Sequence, residues 1–505
     1  MAEPKQPTLQ SPGDFLDGAF VVPEQPDGEL RTLSPGDLED LVGVHPTAVG
    51  HVDRAVKAAR AAFPAWRRLG EPARRKLLRK YQEVVRKHED AIAETIAREV
   101  GKPIWDARGE ARALAGKVDL MLGEGARFTR DEVLEDLPGA IRHRPHGVVS
   151  VIGPFNFPAH LPNGQIVPAL LHGNTVVFKP SEKTPNAAVW MARCFEEAGF
   201  PPGVVNVVQG GAEAAKALVG HDDVDGILFT GSVAVGRSIV AANAHRPGRL
   251  IALELGGKNA SIVLDDADVE RAARQIAFAA YASAGQRCTA TSRVYATPGI
   301  IEALQERLAE AAQAVTVGYP LDEGVFMGPL IDSGSRERLV AAQARARKAG
   351  FDAIVAGEAL ESVDGHRGWY VQPSLHRAPN AEIVVDGYTH DELFGPDVAL
   401  YEVADLEQAC ALANGTVYGL AAAVFTESEE SFEAAADELR VGVLHWNQSS
   451  AGASGRLPFG GVGESGNHRP AGILAGAFCA WPQAVRFSPP ADAPLPSWPG
   501  LFQED

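Results

Sequence analysis

The sequence predicts an α/β protein of two or three domains built on parallel sheets. Its length of 505 residues exceeds what a single hydrophobic core normally serves. Short apolar runs alternate with helical stretches through most of the chain, a pattern typical of βαβ units. The composition, with 45% hydrophobic and 22% charged residues, is that of an ordinary globular protein.

The N-terminal part is predicted to be an arm followed by helices. Residues 1–45 are rich in Pro, Gly and acidic residues, which indicates an extended or strand-bearing arm. A helix is predicted where apolar residues recur at helical spacing, at Val52, Val56, Ala59, Phe63 and Trp66. A second helical stretch is predicted over residues 73–100, ending at "GKP".

Five apolar runs are predicted to be buried strands of one parallel sheet. They span residues 147–153, 174–179, 203–210, 225–231 and 249–257, and a helix is predicted over 187–199 between two of them. A second alternating region is expected from about residue 259 to 439. The Pro-rich tail, residues 488–505, is expected to be irregular.

Charge and cysteine content exclude several classes of function. The formal charge of −18 disfavours binding to nucleic acid or to anionic membranes. The chain shows neither a signal peptide nor the run of about 20 apolar residues that spans a bilayer. The spacing of the four cysteines fits neither a zinc site, a redox pair nor a disulfide framework. We therefore expect a reduced cytoplasmic protein without a metal.

Two motifs follow predicted strands and are suited to a nucleotide. In "FTGSVAVG" a strand leads into Gly231, Ser232 and Gly236 at the start of a predicted helix, where free N–H groups favour a pyrophosphate. The motif is not G-x-G-x-x-G, and an ordinary strand–turn–helix connection is the alternative. In "VVFKPSEKTP", Lys179 and Glu182 stand where ribose hydroxyls bind in α/β sheets, unless this is a solvated loop.

Three further residues have side chains suited to catalysis. Glu254 lies between leucines in "LELGGKN", so burial is expected to raise its pKa and make it a base, or else it is a paired structural carboxylate. Asn156 in "GPFNFP" offers an amide to an oxyanion, or else caps a helix. Cys288 in "SAGQRCTA" is a nucleophile or a small buried hydrophobe, and Arg287 favours a thiolate only if its side chain faces the sulfur.

Taken together and in this chain order, these motifs resemble the aldehyde dehydrogenase superfamily. The resemblance runs from roughly residue 15 to 487 and rests on "FNFP", "KPSE", "FTGS", "LELGGK", "GQRC", "ELFGP" and "PFGGVGESG". It implies a Rossmann-type NAD-binding domain, a catalytic α/β domain and a small β oligomerisation flap in a homodimer or homotetramer. The implied boundaries are 1–127 and 147–253 for the first, 254–440 for the second, and 128–146 with 470–505 for the flap and tail.

The resemblance also implies the role of each residue. Cys288 attacks the aldehyde, Asn156 and the Cys288 N–H hold the oxyanion, and Glu254 activates the water that releases a carboxylic acid. The implied cofactor contacts are Lys179, Glu182, Gly231, Ser232, Gly236, Glu392 and Phe394. Because the Glu182 carboxylate repels a 2′-phosphate, we expect NAD in preference to NADP.

Within the family, three stretches resemble members that oxidise N-succinylglutamate 5-semialdehyde in arginine catabolism: residues 142–182, 284–293, and 465–470 with 479–482. The implied substrate contacts are His160, Gly164, Thr289, Gly452, Ala453 and Phe459. Lys258, Gln448 and Ala451 depart from that subfamily's pattern. Arg287 and Arg469 are both candidates for binding a distal carboxylate.

Several alternatives stay open at the level of sequence. The substrate is N-succinylglutamate semialdehyde or another acidic semialdehyde, such as glutamate or succinate semialdehyde, or the enzyme is a general aldehyde dehydrogenase. A CoA-acylating enzyme is disfavoured by Glu254, because CoA would replace the water that this carboxylate activates. A catalytically silent relative is disfavoured because Cys288, Glu254 and Asn156 are all present.

Overall fold

The N-terminal arm consists of short strands, as predicted. The computed structural model describes residues 9–135, 137–488, 492, 498 and 500. The arm contains strands β1 (Leu9–Gln10), β2 (Asp14–Leu16), β3 (Ala19–Val21), β4 (Gly28–Ser34) and β5 (Asp37–Thr47). Strands β1, β4 and β5 form a small sheet of their own, whereas β2 and β3 extend a large sheet described below.

Four helices follow the arm: α1 (Gly50–Arg68), α2 (Glu71–Lys87), α3 (Glu89–Val100) and α4 (Ile104–Leu122). The predictions of α1 and of a helical stretch over 73–100 are confirmed, but this stretch consists of two helices, α2 and α3. The helical conformation is interrupted at His88, which has non-helical backbone angles. This residue caps the end of α2 and the start of α3. The basic residues that end α2 and the acidic residues that begin α3 suit the opposite dipole ends that meet there.

After the hairpin strands β6 (Glu132–Leu134) and β7 (Gly139–Pro145), the chain forms the predicted parallel sheet. Its elements are β8 (Val148–Ile152), α5 (His160–Leu171), β9 (Thr175–Lys179), α6 (Pro185–Glu197), β10 (Val205–Val207), α7 (Ala212–Gly220), β11 (Gly226–Thr230), α8 (Val233–Asn243) and β12 (Leu250–Glu254). The five predicted strands and the helix over 187–199 are thus confirmed. Each strand is short and apolar on both faces because helices cover both sides.

The order of this sheet creates a crevice at one edge. The strands lie in the order β12-β11-β8-β9-β10-β2-β3, and the first five are parallel. Strand β8 therefore lies between β9 and β11. The sheet continues from β8 through β9 and β10 on one side, and through β11 and β12 on the other side. Ligands of open α/β sheets bind at such a switch point, outside the carboxyl ends of the strands.

A second seven-stranded sheet occupies the region predicted from about 259 to 439. Its elements are β13 (Asn259–Val263), α9 (Val269–Tyr281), β14 (Thr291–Ala296), α10 (Ile301–Ala314), α11 (Ser333–Lys348), β15 (Asp352–Ala356), the β-hairpin β16 (Ala359–Val363) and β17 (His366–Val371), β18 (Ser374–Arg377), β19 (Asp397–Glu402), α12 (Leu406–Asn414), β20 (Ala421–Phe425), α13 (Glu429–Glu438) and β21 (Val443–Trp446). The strand order is β15-β18-β19-β14-β13-β20-β21, and all but β15 run parallel.

The chain ends in the hairpin strands β22 (Pro458–Phe459) and β23 (Ala471–Gly472) and in β24 (Ala480–Arg486). Strand β24 pairs along its whole length with β7, which also pairs with β6, so these three form a separate sheet. The elements predicted for the flap are therefore strands that pair with one another. The domain boundaries stay a prediction, and most of the tail 488–505 lies outside the described residues.

Among the residues that the structure describes, no helix is long and apolar enough to cross a membrane, and no group of His, Cys, Asp and Glu is arranged to hold a metal ion.

Candidate active site

A cavity of about 730 Å³ lies at the carboxyl edge of the first sheet. The ends of β8, β9, β11 and β12 supply one wall, and loops of the second sheet supply the other. The predicted residues that line it are Asn156, Lys179, Glu182, Gly231, Ser232, Glu254, Cys288, Glu392 and Phe394. The fold therefore brings together in one cavity side chains that are far apart in sequence.

Cys288 is held by a turn with unusual backbone angles. Ser283, Ala284 and Gly285 all adopt left-handed conformations, with φ of 54°, 54° and 67°, which non-glycine residues rarely do. The Asp106 carboxylate of α4 accepts hydrogen bonds from Ser283 Oγ (2.5 Å) and from Arg287 Nη2 (2.8 Å). This carboxylate joins both ends of the turn and so stabilises the conformation that presents Cys288 to the cavity.

The surroundings of the Cys288 thiol favour its protonated form. Burial raises its pKa well above the usual range, and the Glu254 and Glu392 carboxyl groups raise it further. The Arg287 guanidinium only weakly opposes this, because it is bound to Asp106 and lies over the Phe157 ring, 5.5 Å from the ring centroid. The condition under which Arg287 would favour a thiolate is therefore not met in this structure.

The Asn156 amide is fixed in place. Its side chain is 4% exposed, and Nδ2 donates to the Gln286 carbonyl at 2.8 Å. Gln286 is itself held, since its Oε1 accepts from the Ile331 N–H at 3.0 Å. An amide donor that is already oriented stabilises a developing oxyanion without reorganisation.

Glu254 is the last residue of β12 and is 1% exposed. Among the described residues, neither of its carboxyl oxygens has a hydrogen-bond partner. Burial raises its pKa to about 8, against the charge of Arg469, which lowers it. A buried carboxyl group that is not engaged in a structural ion pair is free to exchange a proton with a water molecule in the cavity.

Two charged side chains of the cavity lining fit the ribose end of a dinucleotide. Lys179 ends β9 and is almost fully buried, and its Nζ contacts Glu182 Oε2 at 3.3 Å. Glu182 also lines the cavity, and its side chain is half exposed. An ammonium and a carboxylate at this spacing suit vicinal hydroxyl groups.

The turn between β11 and α8, which lines the cavity, fits a pyrophosphate. Gly231 and Ser232 connect β11 to α8, and Ser232 Oγ caps this helix by accepting from the Val235 N–H at 3.4 Å. Gly236 lies within α8, where a Cβ would come within 2.8 Å of Leu255, so it allows the helix to pack closely. It is not among the residues that line the cavity.

The end of the cavity near Cys288 contains Glu392 and Phe394. Glu392 Oε1 accepts from the Gly257 N–H at 2.9 Å, and burial raises the pKa of Glu392 to about 7. Phe394 has a left-handed backbone with φ of 54°, and its ring packs edge-on against Phe155. A carboxyl group and an aromatic face beside the nucleophile fit a ribose with an attached planar ring.

Three of the predicted substrate residues lie together, around a side chain that sequence analysis missed. His160 begins α5 and Gly164 follows one turn later, where a Cβ would lie 3.9 Å from Lys117 Cε. Lys117 Nζ donates to the Gly472 carbonyl at 2.8 Å, on the hairpin that carries Phe459. The one sequence signal for Lys117 is its position between apolar residues of a helix, in "LAGKVDLM".

The other predicted substrate residues lie directly after Cys288 and in the loop that follows β21. Thr289 is buried, and its carbonyl accepts a hydrogen bond from Ser450 Oγ at 2.8 Å. This contact holds the loop of Gly452 and Ala453, both exposed, next to the nucleophile. Lys258, which departs from the subfamily pattern, is buried and donates to the Tyr388 carbonyl at 2.7 Å, outside the cavity lining.

Comparison with known proteins agrees with this arrangement. The model of the "Aldehyde dehydrogenase family" matches residues 21–481. An N-succinylglutamate 5-semialdehyde dehydrogenase of Chromobacterium violaceum is 40% identical over 475 residues, covering 93% of this chain and 95% of that protein. One from Serratia proteamaculans is 39% identical and covers 98% of this chain and 99% of that protein.

Solved structures are similar over nearly the whole chain. An NAD-dependent aldehyde dehydrogenase from Sinorhizobium meliloti superposes with a TM-score of 0.90 at 31% identity, covering 96% of each chain. A 1-pyrroline-5-carboxylate dehydrogenase from Thermus with bound NAD has a TM-score of 0.87 at 29% identity and covers 94% of this chain and 93% of that one.

Proposed function

Because the chain belongs to the aldehyde dehydrogenase family, we propose that its substrate is N-succinylglutamate 5-semialdehyde, which it oxidises to N-succinylglutamate. The protein is an NAD-dependent aldehyde dehydrogenase. The observation that carries the proposal is the single cavity in which Cys288, Glu254 and Asn156 meet a groove suited to a dinucleotide. The choice of aldehyde is supported by the named relatives, which are about 40% identical over nearly the full length.

The side chains of the cavity supply each step of the oxidation. Cys288 Sγ bonds to the aldehyde carbon, its thiol proton passes to a water molecule of the cavity, and the resulting oxyanion is held by Asn156 Nδ2 and the Cys288 N–H. NAD, when bound along Lys179, Ser232 and Glu392, supplies the acceptor for the hydride. The acyl group is then a thioester on Cys288.

Release of the product depends on Glu254. Its ionised carboxylate takes a proton from water, and the hydroxide adds to the thioester carbon. The carbon–sulfur bond breaks, the carboxylic acid leaves, and Cys288 regains a proton. Because Glu254 lies in the cavity and its pKa suits the activation of water, the thioester can be hydrolysed without CoA.

The pH dependence follows from Glu254. Because its pKa is raised to about 8, the carboxylate that acts as a base exists mainly above that pH and is lost as the pH falls. The steady-state rate of NADH formation is therefore expected to rise with pH, with a midpoint near 8. The residual rate of Glu254→Gln should lack this rise. The assignment is wrong if Glu254→Gln shows the same rise as the wild type.

A second prediction concerns the width of the substrate tunnel. Gly164→Trp places a large side chain against Lys117, so the KM for N-succinylglutamate semialdehyde should rise more than the KM for a short aldehyde such as propanal. Gly164→Ala is the matched control, because its Cβ meets Lys117 only at the ordinary contact distance of 3.9 Å. Equal increases for both aldehydes would count against a tunnel at this position.

We also propose that the sheet of β6, β7 and β24 mediates a homodimer or a dimer of dimers. It exposes Val133, Ile141 and Trp481, with 69%, 36% and 43% of their surfaces accessible, and unpaired sheet edges favour pairing.

The expected cytoplasmic location is supported by the four free cysteines.

The substrate assignment is tested by following NADH absorbance with N-succinylglutamate, glutamate and succinate semialdehydes. The proposal requires the succinylated compound to lead in kcat/KM by about tenfold or more, which is roughly 1.4 kcal/mol of transition-state preference. If either of the other semialdehydes leads, the family assignment stands and the substrate assignment is wrong.

A further inference from the structure

Three cationic side chains are buried beside the loop that carries Asn156: Lys102, Lys117 and Arg287. Lys102 Nζ lies 2.6 Å from Glu110 Oε2, and both of these side chains are completely buried. Arg287 is paired with Asp106 at 2.8 Å. In the part of the chain that the structure describes, Lys117 has no carboxylate within ion-pair distance, and its hydrogen bond is to the Gly472 carbonyl. It is therefore the cation of this group whose charge is not matched.

An unmatched buried cation is costly. Removing an ammonium group from water costs several kcal/mol unless an anion or several acceptors replace the water. The ammonium of Lys117 has three N–H donors, and the Gly472 carbonyl uses one of them. Burial lowers the pKa of Lys117 to about 8, so the side chain still carries its charge at neutral pH. The structure keeps two donors and a positive charge available at this position.

A second donor lies next to Lys117. Burial, followed by the charges of Lys117 and Lys102, lowers the pKa of His160 to about 4, so the imidazole is neutral and has one N–H. His160 Nδ1 is buried and has no partner among the described residues. Gly164, one turn further along α5, has no side chain to fill the space beside Lys117 Cε. Lys117, His160 and Gly164 therefore adjoin one another, and no side chain occupies position 164.

This group of residues is connected to the reacting centre. The ring of His160 lies 6.4 Å from that of Phe157, which directly follows Asn156 in sequence. The other candidates for an anion, Arg287 and Arg469, are already engaged. Arg287 is bound to Asp106. Arg469 donates to the Gly461 carbonyl at 2.7 Å, and its charge lowers the pKa of Glu254.

We propose that Lys117, assisted by His160, binds the distal carboxylate of the substrate and so determines specificity for a long dicarboxylic semialdehyde. This inference rests on the proposed function, since it assigns the end of the substrate remote from the aldehyde. The carboxylate would supply the missing counter-charge and accept hydrogen bonds from the N–H groups of Lys117 and His160. Charge-assisted hydrogen bonds of this kind are stronger than neutral ones.

The test compares two substrates, of which the second lacks this carboxylate and one methylene group. N-succinylglutamate 5-semialdehyde has it, and N-acetylglutamate 5-semialdehyde lacks it but keeps the amide and the α-carboxylate. We expect the wild type to prefer the succinylated compound in kcat/KM by about tenfold or more, mainly through KM. Lys117→Met should reduce this preference by about tenfold or more. Lys57→Met, which removes an exposed lysine of α1, should retain it.

A second variant and a binding measurement distinguish the loss of the Lys117 charge from a structural effect of the substitution. Lys117→Gln removes the charge but keeps a donor for the Gly472 carbonyl, and we expect the same loss of preference. N-succinylglutamate should raise the unfolding temperature of the wild type more than N-acetylglutamate does, and this difference should disappear in both variants.

The possible failures can be told apart. If the wild type shows no preference between the two substrates, the proposed substrate is wrong and the role of Lys117 falls with it. If the wild type prefers the succinylated compound and both Lys117 variants retain that preference, only the role of Lys117 is wrong. The same conclusion follows if the variants lose activity on both substrates by equal factors.

Discussion

Replacing Cys288 with alanine is expected to reduce aldehyde-dependent NADH formation by at least about 10⁴-fold, since loss of a covalent nucleophile leaves only binding and oxyanion stabilisation. The thiol is the cavity group that can form an acyl intermediate and later leave from it. The small change in volume at a partly exposed site should leave the fold intact. The measurement is NADH absorbance with N-succinylglutamate semialdehyde at saturating NAD.

The matched control is Cys410→Ala. Cys410 is buried in α12, in the core on one side of the second sheet, and does not line the cavity. It should retain most of the activity, with at most a loss of stability. The assignment of the nucleophile is wrong if Cys288→Ala keeps more than a trace of activity while its unfolding temperature matches the wild type.

Replacing Glu254 with glutamine is expected to separate the two halves of the reaction. The change removes a carboxyl group that raises the pKa of the Cys288 thiol, so acylation and the first NADH should still form. Hydrolysis loses its general base, which typically contributes about 10²–10⁴-fold. Stopped-flow absorbance should therefore show one NADH per active site in a burst, followed by a very slow steady state.

Glu392→Gln is the control for this experiment. Glu392 is the other carboxyl group that raises the pKa of the Cys288 thiol, and its Oε1 accepts a hydrogen bond from the Gly257 N–H. Its loss should raise the KM for NAD without producing a burst. A burst in Glu392→Gln, or its absence in Glu254→Gln, would mean that the base has been assigned to the wrong carboxylate.

The strands of the first sheet were predictable because each is a short apolar run bounded by Gly, Pro or polar residues. The run 174–179, for example, becomes β9 and ends at Lys179, one residue before Pro180. The break at His88 was not predictable from apolar spacing, because the apolar pattern continues through it. Only the switch from basic to acidic residues at positions 86–90 signals two helix ends.

The candidate site was predictable where a residue directly follows a strand. It was less predictable where it depends on contacts between residues that are far apart in sequence. Asn156, Glu182, Ser232 and Glu254 follow or end strands, so their meeting at one sheet edge follows from topology. The environment of Lys117 arises from α4, α5 and a hairpin about 355 residues away, and no local pattern encodes that contact. The direction of the Arg287 side chain, toward Asp106, is likewise set by tertiary packing.

The nucleophile and the substrate are tested most directly by the intact mass of Glu254→Gln after incubation with NAD and N-succinylglutamate semialdehyde, followed by peptide mapping. We expect a covalent N-succinylglutamyl group on Cys288, in about one equivalent per chain, which is absent without NAD. The other three cysteines are buried and should stay unmodified. An unmodified Cys288, or the acyl group on another cysteine, would contradict the proposed nucleophile and substrate together.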